Sequence, residues 1–257
     1  INGSTQIKLS GAQNNWTFIV HIKSANDRTV ADRTIFKFPV AAGPLTLEMG
    51  SDGRVQATFG GGTTLYSKTK DPFDGETPMM IALQFDKDGK VPRKLFVNGV
   101  LESTNTSYSG NSVDGSETSN YVTIGATHNL NQQECFRGNI SNVRIVKGTA
   151  VYTTSFTVPT EPLTNITNTV LLCCNNSSTT GKTTGGTITA NGGPTASSDS
   201  PFDDPAAHVF GESGSESVIK CGSYVGSGSA GLEVNLGWEP QWVIVKGATS
   251  ANTNWRL

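Results

Sequence analysis

From Met79 to Glu102 the residues alternate in character at a period of two, and two turn signals interrupt them. Ile81, Leu83 and Phe85 alternate with Met80, Ala82, Gln84 and Asp86. Lys87-Asp88-Gly89 then turns the chain, Pro92 to Val97 returns, and Asn98-Gly99 turns it again into Val100-Leu101-Glu102. An Asn-Gly pair between two apolar runs is the strongest two-residue hairpin signal, because both residues tolerate positive φ. Period two puts successive side chains on opposite faces of a sheet. Residues 79–104 are therefore predicted to be a three-stranded antiparallel meander, and the rest of the chain must supply a sheet for it to join and a layer to cover it.

Other segments repeat the pattern. Trp16, Phe18, Val20 and Ile22 share one face of a strand over residues 15–23, read as a core face. Arg33 to Phe38 and Leu45 to Met49 are short β-rich runs, and Ser51-Asp52-Gly53 supplies a turn before Val55. Tyr121 to Gly125 and the run holding Phe136, Ile140, Val143 and Ile145 read as the last strands of the same body. No segment sustains a 3.6-residue period. Thr, Gly, Ser and Asn make up 106 of the 257 residues, which excludes a helical bundle.

Basic and acidic side chains number 19 and 21, with no long block of either sign, so the basic stripe of a nucleic-acid-binding surface is missing. No apolar run reaches the ~18–20 residues of a spanning helix, and no insertion into a membrane is expected. Cys135, Cys173, Cys174 and Cys221 form neither a CxxC pair nor a zinc-type spacing with histidine. They read as reduced thiols of a protein made in a reducing cytoplasm, with a bridge from Cys135 to Cys173 or Cys174 left open.

The expected fold is all-β, a sandwich of roughly a dozen strands over the first 165 or so residues. Residues 173–207 are rich in Ser, Thr and Gly and read as a linker, since such a composition buries too little apolar surface to fold alone. Residues 208–257, with Trp238 and Trp242 in a hairpin pattern, read as the start of a second β-module that is cut short.

Four motifs then carry a resemblance. Asn15-Trp16-Thr17-Phe18-Ile19-Val20, Lys94-Leu95-Phe96-Val97-Asn98-Gly99-Val100, Val122-Thr123-Ile124-Gly125 and Phe136-Arg137-Gly138-Asn139-Ile140-Ser141-Asn142-Val143-Arg144-Ile145 stand in the order and spacing of laminin G-like domains. Residues 1–172 resemble such a domain, a member of the concanavalin A-like lectin and glucanase superfamily, and the resemblance implies a jelly-roll sandwich. The continuation, Arg144 to Thr153, Thr169 to Cys174 and Gly186 to Gly192, is similar to laminin G-like modules in virion and tail-fibre proteins of tailed phages of marine bacteria, cyanobacterial phages included. Gly222 to Lys246, with the run Gly237 to Lys246 inside it, is similar to a short β-module that follows in those proteins. Glu76-Thr77-Pro78-Met79-Met80 departs from the usual aromatic-His region and bears on core packing alone.

The resemblance implies a virion appendage subunit, synthesised in the host cytoplasm, often trimeric, in contact with other virion proteins and with a glycan or receptor on the host surface. Its alternative is a capsid-attached decoration or head-appendage spacer. Catalysis is not expected: the Glu-x-Asp-x-x-Glu arrangement of the glucanase branch does not occur, and His21, His128 and His208 have no serine or cysteine beside them in an elbow motif. Two polar loops are the candidate binding surface. Tyr108 could stack on a sugar face, Asn111 and Asp114 offer oxygen ligands, and His128 and Asn131 lie in the second loop. Calcium is the one cofactor such oxygens could hold. Any single one of these residues is more simply an ordinary surface-loop residue.

Overall fold

The computed structural model describes residues 15–27, 33–38, 45–59, 63–86, 92–106, 122–127, 134–202 and 245. The chain divides into two compact units, Ile1–Asp204 and Pro205–Leu257. The described strands lie in the first: β1 (Asn15–Ser24), β2 (Arg33–Phe38), β3 (Leu45–Met49), β4 (Arg54–Phe59), β5 (Thr63–Lys70), β6 (Met79–Asp86), β7 (Arg93–Val97), β8 (Val100–Asn105), β9 (Thr123–Ile124), β10 (Gly138–Lys147), β11 (Thr169–Cys173) and β12 (Lys182–Thr184). They form a seven-stranded sheet ordered β12-β11-β10-β1-β6-β7-β8 and a five-stranded sheet ordered β5-β4-β3-β2-β9. All strand pairings are antiparallel, as a jelly-roll sandwich requires.

The meander expected over residues 79–104 is β6-β7-β8. Asn98 and Gly99 turn it with φ of 47° and 77°, and Val97 faces Val100 across the turn. The Lys87-Asp88-Gly89 turn lies outside the described residues. Trp16, Phe18, Val20 and Ile22 of β1 point between the sheets with Ile81, Leu83 and Phe85 of β6, against Phe36, Phe38, Leu47, Val55 and Phe59 of the second sheet. The five-stranded sheet is thus apolar on one face.

The seven-stranded sheet is buried on both. Ile19, Met80, Ala82, Phe96 and Leu172 stand on its outer face and pack with Leu163, Tyr152, Phe156 and Val158 of the β10–β11 connection. Tyr152 and Phe156 stack with ring centroids 3.5 Å apart. Polar pins set the connection in place: Thr17 Oγ1 donates to Thr149 O (2.9 Å) and accepts from Val151 N (3.0 Å), Asn142 Oδ1 accepts from Leu163 N (2.9 Å), and Arg144 donates to Thr164 O (3.1 Å) and to the Tyr152 hydroxyl. Gly99 is needed twice over, since a Cβ there would lie 2.1 Å from Phe156 O.

One long side of the sandwich is stitched by a carboxylate. Glu102 on β8 accepts from Lys68 N (2.7 Å), Thr69 N (3.1 Å) and Thr69 Oγ1 (2.7 Å) on β5, joining the edges of the two sheets. Burial works against its charge, but the donors from Thr69 and Lys68 outweigh it and hold its pKa below the ordinary value.

The stretch 173–202, expected as a linker, is in contact with the sandwich. Residues 182–184 are β12, Ile188 packs on the core, Asp199 pairs with Lys23 and accepts from Asn139 Nδ2 (2.8 Å), and Phe202 meets the His21 ring edge-on at 5.0 Å. Its few apolar residues dock singly on a surface already built by β1, β10 and β11. A composition too poor to make a core can still cover one.

His21 is buried beneath Phe202, and burial lowers its pKa from 6.5 to about 4. The unfolded chain therefore binds a proton that the folded chain refuses, so stability falls as pH drops from 6.5 to about 4. Chemical denaturation across that range should show the decline in the wild type and a flatter profile in His21→Phe. Glu102→Ala should lower stability by about 2–3 kcal/mol in urea at pH 7, because it leaves two backbone donors unpaired.

Candidate functional site at one rim of the sandwich

Five segments meet at the end of the sandwich where β1 finishes and β2 begins: Ser24–Asp27, Arg33, the β3–β4 turn at Gly53, the Asp71–Phe73 loop and the stretch Glu134–Arg137 before β10. Asp71 organises them. Its Oδ2 accepts from Ser24 Oγ (2.8 Å), its Oδ1 from Phe73 N (2.7 Å), and its own N–H donates to Gly53 O (2.8 Å). Gly53 has φ of 82°, and a Cβ there would lie 2.6 Å from Asp71 O, so only glycine lets the turn and the loop meet. Phe73 sits at a positive φ of 54°. Arg137 Nη1 is paired with Asp27, its carbonyl accepts from Ala25 N (2.9 Å), and Thr34 bridges to Cys135.

Arg33 lies in the middle of this arrangement. Its guanidinium carbon stands 4.5 Å from the centre of the Phe73 ring, it is 1% exposed, and none of its three nitrogens has a hydrogen-bond partner among the described residues. Burial pushes its pKa below the usual arginine range, with Arg137 adding to the fall and Asp27 and Asp71 opposing it. Unpaired buried charge is costly. A guanidinium presents a planar fork of donors matched to a carboxylate or to neighbouring hydroxyls, and here that fork is enclosed within the rim.

The residues singled out in the sequence fall elsewhere. Tyr108, Asn111, Asp114, His128 and Asn131 lie outside the described residues. The strands that bracket them are described, and they leave the sandwich at different ends. β8 ends and β9 begins at the end opposite Arg33, whereas Thr127 and Glu134, which flank 128–133, belong to the Arg33 rim. Arg33, Asp71 and Phe73 are not among the candidate residues that the sequence offers. An arginine opening a β-rich run looks like a solvated strand end, and only the structure shows that this one is enclosed.

A profile of the laminin G-like family of the concanavalin A-like lectin/glucanases superfamily matches residues 2–151, more than half of the chain. The chain belongs to this family, and its lectin-like sandwich is the family's fold. No curated protein matches the sequence. Among solved structures it is similar to a candidate carbohydrate-binding protein from Bacteroides ovatus (15% identity, 63% of this chain and 45% of that one, TM-score 0.45). It is also similar to the CBM40 of the Ruminococcus gnavus IT-sialidase bound to α2,6 sialyllactose (21%, 49% and 73%, 0.40) and to domains LG4-5 of the mouse laminin α1 chain (16%, 53% and 36%, 0.38). The chain spans less than half the length of the Bacteroides ovatus protein.

Arg33→Met keeps the stem over Phe73 and removes the unpaired charge. It is expected to raise the Tm by about 2–4 °C in calorimetry. A lowered Tm would show that Asp27 and Asp71 already balance the charge.

Proposed function

We propose that this chain is a non-catalytic glycan-binding module, part of a tail fibre or similar appendage of a tailed-phage virion, where it holds the particle to the host surface. The observation that carries the binding reading is the match of residues 2–151 to a lectin-like family, and the rim that encloses the unmet donors of Arg33 is its candidate surface. Oxygen-rich ligands such as sugars present the acceptors that this guanidinium lacks.

Three of the described carboxylates favour binding over hydrolysis. A glycosidase needs two acids free to act across the scissile bond. Asp71 and Glu102 instead accept from backbone N–H groups and hydroxyls, and Asp74 does the same, its pKa lowered to about 2 by the Thr77 hydroxyl and by the amides of Thr77 and Glu76. The wide outer face of the seven-stranded sheet is covered by the β10–β11 connection, so it offers sugars no platform.

The appendage reading rests on the resemblance of Arg144–Cys174 and Gly186–Gly192 to tail-fibre modules, and it carries a homotrimer and virion partners with it. A capsid decoration is the competing assignment. The purified chain is expected to retain a subset of sugars on a glycan array. Arg33→Met should weaken that binding at least about tenfold, the worth of about 1.4 kcal/mol, with the circular dichroism unchanged. Replacing Tyr108 and Asp114 by Ala tests the loop residues singled out in the sequence. A chain that binds no glycan, or an Arg33→Met variant that binds as the wild type does, overturns the assignment. Gold-labelled antibody against residues 1–165 should mark tail or fibre tips; label over the head would make the protein a decoration.

A further inference from the structure

Cys173 ends β11 and Cys174 follows it, and the binding reading makes no use of them. Successive residues of a strand point to opposite faces, yet both of these pack against the same core between the sheets. The reason is local. Cys174 takes a left-handed φ of 56°, which breaks the alternation and brings its sulfur round to the side of Cys173, 3.8 Å from its neighbour. The bent backbone is fixed from outside, because Cys174 O accepts from Asn142 N (2.8 Å) while Cys173 is held in register between Val143 and Lys182. Cys173 is fully buried and Cys174 half-buried.

We propose that Cys173 and Cys174 are a redox pair that closes reversibly to a vicinal disulfide by exchange with a small oxidised disulfide such as glutathione disulfide. The half-buried Cys174 is the attacking sulfur. Its thiolate displaces one glutathione thiolate and forms a mixed disulfide. Cys173 then loses its proton, attacks Cys174 Sγ and expels the second glutathione. Two protein thiols and one glutathione disulfide become one protein disulfide and two glutathione thiols. The acidities suit this order: the hydrogen bond shared by the two sulfurs lowers the Cys174 thiol, and the same bond together with burial raises Cys173.

The closed ring is strained. Consecutive Cα atoms are about 3.8 Å apart, shorter than the roughly 4.4–6.8 Å that disulfides usually span. Strained disulfides are the readily reduced ones, so reduced glutathione should reopen it.

The test uses the full chain carrying Cys135→Ser and Cys221→Ser, which leaves the pair alone. The folded protein is equilibrated with glutathione disulfide, quenched in acid, alkylated and weighed intact, with peptide mapping over residues 169–182. The expected result is loss of both alkylatable thiols together, a mass lower by two hydrogens, no lasting glutathione adduct, and recovery of both thiols in excess reduced glutathione. Adding Cys173→Ser should trap one glutathione on Cys174. If that variant does not fold, the pattern of the first protein decides. A lasting adduct on the intact pair, or two thiols that stay alkylatable in the folded protein, overturns the proposal.

Discussion

Water must be kept from both faces of the seven-stranded sheet, and most of the first unit is arranged around that requirement. The inner face is served by the five-stranded sheet. The outer face, with Ile19, Met80, Ala82, Phe96 and Leu172, is served by the connection from β10 to β11. At about 25 cal/mol per Å² of apolar surface, covering these side chains is worth several kcal/mol. The connection has no strand ladder to hold it, so it is pinned one polar contact at a time, by Thr17, Asn142 and Arg144 from below, by Gly99 O accepting from Phe156 N, and by Leu101 N donating to Ser155 Oγ.

This explains a motif that the sequence presents only as a resemblance. In the run from Arg144 to Tyr152 the arginine and tyrosine bond to one another, Lys147 ends the strand, and Gly148 turns the chain with φ of 82°. The residues that look most diagnostic of the family are therefore the ones that fold a long connection back over its own sheet. Their role is to close the outer face of the larger sheet.

How much could be read in advance depends on whether a signal is local. The hairpin at Asn98-Gly99 and the inward faces of β1 and β6 are legible because period two and positive φ are properties of neighbouring residues. The cover of the outer sheet face is not, because Tyr152 and Phe156 reach Phe96 across more than fifty residues of sequence. Arg33 is hidden for a related reason: its enclosure is built by Phe73, Asp71 and Asp27, and nothing beside it in the chain marks it as different from an exposed strand end. The polar stretch 173–202 shows the converse. Its composition correctly announces that it has no core, and says nothing about the surface on which Ile188 and Phe202 settle.

The same stretch sets a load path. Tension arriving along the chain from beyond residue 202 falls first on the clasp in which Asp199 is held by Lys23 and Asn139 and Phe202 rests on His21. Lys23 and His21 both belong to β1, an interior strand of the larger sheet, so force enters where the ladder is continuous on either side. If the clasp yields, the next element is β12, paired at only two positions and free to peel one rung at a time. An ion pair and one aromatic contact thus precede the strand ladder along that path, and protonation of the histidine under Phe202 is expected to loosen them in acid.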